Sequence, residues 1–213
     1  MKNLFLTLPL VTIISISLHS SAQIVYSAHI VQPDPLVTPS ICMVKIDPET
    51  EKNMIIWERT TDLLINKYQV WKAVNTYYSL VCETMADESS NIIDWSSKPV
   101  TNPYKYVLVT IDTCGNTSQK SSSHKPFLLE SGKGLNDVIN LSWKPYMVDD
   151  SEYTFNSIVI LRGVDSVNLV PIDTIDAEIG FNSFTDNNPP VNTDVYYRIC
   201  GEKVAPCNPG YLQ

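Results

Sequence analysis

Histidine is scarce in this sequence, three in a chain of 213 residues. Only His29 and His124 lie beyond the first 22 residues, far apart, so neither a His-based catalytic triad nor a multi-His metal site can be assembled. Basic residues are few as well: 15 Lys+Arg stand against 23 Asp+Glu, and the net charge of -8 argues against attraction to nucleic acid or to an anionic membrane. After the N-terminal stretch there is no run of 18 or more apolar residues, which excludes a spanning helix. No window there keeps the i, i+3, i+4, i+7 period of an amphipathic helix. GxSxG, HExxH and Walker motifs are absent. Ser131-Gly132-Lys133-Gly134 resembles a phosphate loop only in composition and is read as a turn, together with its two glycines. With 44% hydrophobic and 18% charged residues, the chain is globular rather than disordered.

What is present begins with an address. Lys2 precedes an apolar stretch from Leu4 to Leu18 and the small residues Ser20, Ser21 and Ala22, the pattern of an export signal over 1–22. Cleavage after Ala22 leaves Gln23 first and, by removing Lys2, makes the net charge -9. Export places the protein outside the cytoplasm, secreted, periplasmic or at the cell surface, where its five cysteines can form disulfides. None has CxxC spacing, so bridges are expected rather than a metal, and the odd number leaves one over. Pro33, Pro35 and Pro39 make 23–40 an extended spacer.

From there the chain is a succession of short runs rich in Val, Ile, Tyr and Trp, bounded by Pro, Asn, Asp and Ser. Seven strands are expected in the first half: Ile41–Ile46, Asn53–Glu58, Ile65–Lys72, Tyr78–Glu83, Asn91–Asp94, Tyr104–Asp112 and Thr117–His124. The second half echoes them. Trp57 returns as Trp143, Tyr68–Trp71 as Ile158–Leu161, Asp94 as Asp186, and Pro99-Val100 followed by Tyr106 as Pro190-Val191 followed by Tyr197. The Pro-Val pair is read as an apolar plug, with the Tyr packing behind it and finding a hydroxyl partner as in a tyrosine corner.

Trp57 in the second strand, Tyr106-Val107-Leu108-Val109 and Asp112-Thr113-Cys114-Gly115-Asn116-Thr117-Ser118 resemble a fibronectin type III module, over about 41–207. Ile41-Cys42-Met43-Val44, Lys52 to Glu58 and Ser123-His124-Lys125 are similar to repeats of exported Bacteroidetes surface proteins associated with gliding motility and type IX secretion. The expected fold is all-β: two tandem fibronectin type III or immunoglobulin-like β-sandwich domains, 41–124 and 125–213, stiffly joined through Lys125 and Pro126. The thirteen residues after Cys200 are interrupted by Pro206 and Pro209, so the second domain lacks its last strand. The open edge accepts a strand from another chain, or the chain belongs to a longer array, the reading preferred here. In such a sandwich the start of the first strand and the end of the sixth share a pole. Cys42 is therefore expected to pair with Cys114 and Cys200 with Cys207, leaving Cys82 as a free, buried thiol.

Candidate sites are sparse. Asp149, Asp150 and Glu152 form the one acidic loop with oxygen enough for calcium, without the spacing of an EF-hand. Trp71, Tyr77, Tyr78 and Trp95 are possible ligand-contact aromatics. No catalytic residue and no cofactor is expected. The resemblance implies a non-catalytic interaction or spacer protein acting in surface adhesion or assembly, with a protein or glycan partner. A carbohydrate-binding accessory module needs the four aromatics to form an exposed platform, and a hydrolase needs two acids facing across a cleft.

Overall fold

β-branched and aromatic residues spaced two apart put one face of each strand into a core. In the computed structural model, which describes residues 36–176, 182–204, 207 and 209, this alternation builds two successive sandwiches. The leader and most of the spacer lie outside the described residues. The first sandwich comprises β1 (Ile41–Ile46), β2 (Asn53–Trp57), β3 (Ile65–Val74), β4 (Tyr77–Met85), β5 (Asn91–Asp94), β6 (Tyr106–Asp112) and β7 (His124–Lys125). Strands β1-β2-β5 form one antiparallel sheet, and β4-β3-β6-β7 belong to the other. Ile65, Tyr68, Val70 and Lys72 are the buried residues of β3. Between the sheets lie Ile41, Val44, Ile55, Trp57, Tyr68, Val70, Tyr106 and Leu108, with the Trp57 and Tyr68 rings 5.4 Å apart. Each such side chain contributes roughly 1.5 to 3 kcal/mol on burial.

The strand expected over 117–124 is largely irregular. Ser118 and Ser121 hydroxyls accept hydrogen bonds from the Thr110 and Leu108 N–H groups, and regular pairing resumes only at His124 opposite Tyr106. Serine hydroxyls thus take the acceptor role that backbone carbonyls fill in a regular ladder. The end of the spacer is also packed: Leu36 lies on the first core, and Thr38 hydrogen-bonds Ser118.

The chain continues through β8 (Leu128–Lys133), β9 (Ile139–Lys144), β10 (Met147–Val148), β11 (Ser151–Glu152), β12 (Ser157–Gly163), β13 (Val170–Asp176), β14 (Ser183–Asp186) and β15 (Tyr196–Glu202), and all of these but β10 and β11 build the second sandwich. Its sheets are β14-β9-β8 and β13-β12-β15, around Leu141, Trp143, Ile158 and Ile160. Gly132, expected in a turn, sits inside β8 opposite Asn140, and Gly134 begins the turn that follows. The hairpin β10–β11 does not join either sheet. It pairs with β7, Met147 opposite Lys125 and Val148 opposite His124, and extends the first sandwich's sheet to six strands, β11-β10-β7-β6-β3-β4. All described residues belong to one compact unit, Pro35–Gln213.

Gly201 on β15 shows how tightly this second core is closed: a Cβ there would meet the Phe155 ring at 2.6 Å. Phe155 cannot swing away, because Phe127, Tyr146 and Tyr153 surround it with centroids at 5.3, 5.7 and 4.8 Å. Gly201→Val is expected to destabilise the protein by about 1 to 3 kcal/mol, measured by chemical denaturation.

Candidate functional site

Each sandwich buries one carboxylate that ties its two sheets together. In the first, Asp94 of β5 pairs with Lys72 of the facing sheet, Nζ to Oδ2 2.7 Å, with side chains 1% and 10% exposed. Tyr106 donates to the same oxygen at 2.8 Å and accepts from Asn53 Nδ2 at 3.0 Å. Ser96 donates to Oδ1 through its N–H and its hydroxyl, at 3.0 and 2.6 Å. Burial pushes the Asp94 carboxyl up, but the hydrogen bonds from Lys72, Ser96 and Tyr106 together hold it below its ordinary value. Burial, with the Asp94 charge adding to it, raises the Tyr106 phenol far above its usual range. The second sandwich repeats the cluster: Arg162 and Tyr197 each donate to Asp186 Oδ2 at 2.7 Å. The Asp and Tyr echoes seen in the sequence are therefore hydrogen-bonded partners. The cations, Lys72 and Arg162, directly follow the echoed quartets Tyr68–Trp71 and Ile158–Leu161, so their shared charge at one position of the repeat is the signal that could have found them. Arg162 and Asp186 also line an open depression of about 380 Å³ with Ile172, Asp173, Phe184 and Asn188.

The plug assigned to the Pro-Val pairs is corrected for its valines: Pro99 is buried and Pro190 half-buried, but Val100 and Val191 are 77% and 71% exposed. After β5 the chain turns on bonds from Ser97 N–H to the Asp94 carbonyl and from Thr101 N–H to Lys98, which leaves Val100 facing water.

A second polar construction joins the sandwiches. Tyr146 accepts from the Val44 N–H of β1 at 2.9 Å and lies 2.8 Å from His124 Nδ1. With the Tyr hydroxyl donating, His124 is the acceptor at Nδ1 and carries its proton on Nε2. Burial, reinforced by the charge of Lys203, pulls the His124 pKa down to about 4, against a smaller opposing effect of Asp149. Phe127, Tyr146, Tyr153 and Phe155 pack edge to face or tilted around this contact. Lys203 Nζ donates to the Cys42 carbonyl at 3.0 Å, and Cys42 is bridged to Cys207 across 165 positions of sequence.

That bridge corrects both expected pairings. Cys42 does not meet Cys114, which is exposed in the Asp112–Asn116 turn, its N–H held by Asp112 Oδ1. Cys200 is not joined to Cys207, because β15 stays extended through Glu202 and the chain then crosses to β1. Cys82 is free but exposed on the edge strand β4 rather than buried. Cys42, Glu58 and Cys207 place three potential metal ligands within 4.8 Å, but sulfurs joined to each other are not available as thiolates.

The acidic loop is a hairpin turn. Asp149 and Asp150 both have positive φ, 48° and 63°, as the two central residues of a type I′ turn require. Asp149 Oδ1 accepts from the Ser123 N–H at 2.6 Å, and Asp150 pairs with Lys105 at 2.5 Å. Hydrogen bonds from Ser122 and Ser123 lower the Asp149 carboxyl below its usual value. Through these contacts Asp149 and Asp150 act as a structural clasp on the first sandwich.

The four aromatics do not form one platform. Trp71 is half-buried with Nε1 on Gln69 Oε1 at 3.2 Å, and it shares the outer face of its sheet with Tyr78, which Lys120 covers at 4.4 Å. Tyr77 lies on the opposite side of β4 and is 60% exposed. Trp95, 69% exposed, follows β5 in the other sheet. Among the described residues no helix is long and apolar enough to cross a membrane.

No family model matches the sequence, and no curated protein matches it. Among solved structures it is similar to the FN1–FN3 domains of chicken CNTN1, with 15% sequence identity, a TM-score of 0.23 and coverage of 79% of this chain. The chain spans 56% of the length of that structure. Its class follows from its own strand order, a β1-β2-β5 sheet facing β4-β3-β6 and its repeat β8-β9-β14 facing β13-β12-β15: tandem fibronectin type III-like, immunoglobulin-like β-sandwiches.

Two outcomes are expected. Asp94→Asn leaves the Lys72 charge buried without its counterion and should cost about 3 to 5 kcal/mol in chemical denaturation. Asp186→Asn should cost less, since the Arg162 side chain is 25% exposed. The second concerns pH. With the folded His124 pKa at about 4 and the unfolded one near 6.5, the unfolded chain binds the extra proton between these values. Stability from this site is complete above pH 6.5 and falls as pH drops towards 4. Denaturation midpoints across that window should decline less steeply in His124→Phe than in the native protein.

Proposed function

We propose that this protein is an exported, non-catalytic interaction protein in which two fibronectin type III-like modules, 41–124 and 125–213, act as one stiff body in surface adhesion or assembly. The observation that carries this reading is the joint: a disulfide from β1 to the chain beyond β15, a hairpin of the second module completing a sheet of the first, and a buried aromatic cluster between them. A hinge would need surfaces that part without exposing apolar rings, whereas here His124 and Tyr146 are 7% and 5% exposed. A rigid pair presents its exposed loops and edges at fixed spacing, as an adhesion or spacer element must. The likeness of its sequence motifs to exported Bacteroidetes repeats supports placement at the cell surface. The acids of the exposed loops are engaged in local contacts, which supports a non-catalytic role: Glu88 accepts from the Thr84 hydroxyl and the Met85 N–H, and Asp149 and Asp150 clasp the joint.

The test applies residues 23–213 and its Cys42→Ser variant to arrays of surface proteins and of glycans. Saturable binding to a protein, weakened in the variant as the joint loosens, is expected, with a stability loss of roughly 2 to 5 kcal/mol for removal of the bridge. Glycan binding abolished by Trp71→Ala or Trp95→Ala would replace this reading with a carbohydrate-binding module.

A further inference from the structure

The sheet β13-β12-β15 has two edges of opposite character. On β13, Pro171 lacks an N–H, and Asp173 and Asp176 add like charges, all of which discourage a further strand. On β15 there is no such guard: the strand pairs with β12 on one side, and among the described residues nothing pairs with its other side. Beyond it, Lys203 and Cys207 are held at Cys42 on β1.

Side chains on β15 alternate. Tyr197 and Ile199 pack on the core and Gly201 abuts Phe155, so Tyr196, Arg198, Cys200 and Glu202 lie together on the outer face. Reversed, this outer row is its own charge complement: apolar, positive, thiol, negative, then Val204 just beyond the strand, so that reversal keeps the apolar and thiol positions and exchanges the two charges. In an antiparallel pair of two identical strands centred on Cys200, Arg198 falls opposite Glu202 of the second copy, twice. Cys200 meets Cys200, and Tyr196 falls opposite Val204, residues that are 42% and 65% exposed. Moving the centre by one residue to Ile199 or Gly201 keeps the outer faces together but removes both charge pairs. Opposite charges directly across a ladder stabilise it, and like charges oppose it. Arg198 already donates to the Ser166 carbonyl at 3.0 Å, and Glu202 accepts from Ser157 at 2.8 Å. A guanidinium has five N–H donors and a carboxylate two oxygens, so both keep capacity for a partner.

We propose that two copies of this chain join through antiparallel pairing of their β15 strands about a two-fold axis at Cys200, making one continuous six-stranded sheet. Directly opposed residues of an antiparallel pair have Cα atoms about 4.5 to 5.5 Å apart, within the range a disulfide spans. Outside the cytoplasm the two Cys200 thiols then close into a bridge: one S–S bond forms, two S–H bonds break, and two protons and two electrons pass by thiol–disulfide exchange to a disulfide-bearing oxidant, which is reduced to its dithiol. This covalent seal rests on the exported reading given above, while the strand pairing does not.

The experiment uses the mature chain, 23–213. Under reducing conditions, sedimentation equilibrium should show a monomer–dimer equilibrium that Arg198→Glu weakens roughly tenfold and that Arg198→Glu combined with Glu202→Arg restores. With oxidised glutathione, non-reducing electrophoresis should show a linked dimer that is lost in Cys200→Ser and retained in Cys82→Ser and Cys114→Ser. A chain that stays monomeric at high micromolar concentration under both conditions would overturn the proposal, as would charge variants without effect or a dimer linked through Cys82 or Cys114. The surface-protein binding of the preceding section, read on Cys200→Ser, separates failure of this proposal from failure of the adhesion reading.

Discussion

The structure depends on a carboxylate held between two sheets. Asp94 and Asp186 each stand on a strand of one sheet and receive a cation and a phenol from the facing one. Apolar contacts between sheets favour burial but are non-directional, and they allow the sheets to slide. A buried ion pair that also accepts hydrogen bonds is directional, and breaking one partner leaves a charge where water cannot reach it. The sandwiches therefore have a defined offset between their sheets, and the positions of Trp57 and Trp143 in the cores follow from it.

A second constraint acts between the sandwiches. Tandem modules joined by a short linker ordinarily keep some freedom. Here the Asp149-Asp150 turn sends a hairpin back onto β7, Tyr146 reaches β1, and the Cys42–Cys207 bridge closes the far end. The hairpin and Tyr146 come from one stretch of the second module and Cys207 from its far end in sequence, and they engage two strands of the first module, β7 by the hairpin and β1 by Tyr146 and Cys207. The surface they leave open is distributed unevenly: β13 is guarded by Pro171 and acids, while the outer face of β15 carries a charge pattern complementary to itself.

Much of this architecture was legible in the residues. Alternation of Val, Ile, Tyr and Trp between Pro, Asn and Asp clusters located β1 and β5 to the residue and most of the other first-half strands to within a few, because period-2 burial is a local property of each strand. The Asp and Tyr echoes mark the sheet-to-sheet cluster, whereas the valines of the Pro-Val echo beside them face water, since an apolar residue in a turn goes wherever the hydrogen bonds of that turn send it. Over 117–124 the structure is less regular than the alternation suggests, because serine replaces a backbone acceptor with its own hydroxyl. Of the candidate site, the sequence shows which acids and aromatics lie in or beside loops, but not what they touch: Asp149 meets Ser123, and Tyr78 meets Lys120, through contacts that no local spacing records.

By itself the sequence determined the all-β character, the repeat and the residues that pin each sandwich, since these follow from short-range alternation and from a pattern written twice. Tertiary structure alone decided which cysteines meet and where the acidic hairpin docks. Cys42 and Cys207 are separated by 165 positions, and nothing near either of them states where the other will be. Such pairings depend on the relative placement of two sandwiches, which is set by many weak contacts summed over the joint and not by any one motif.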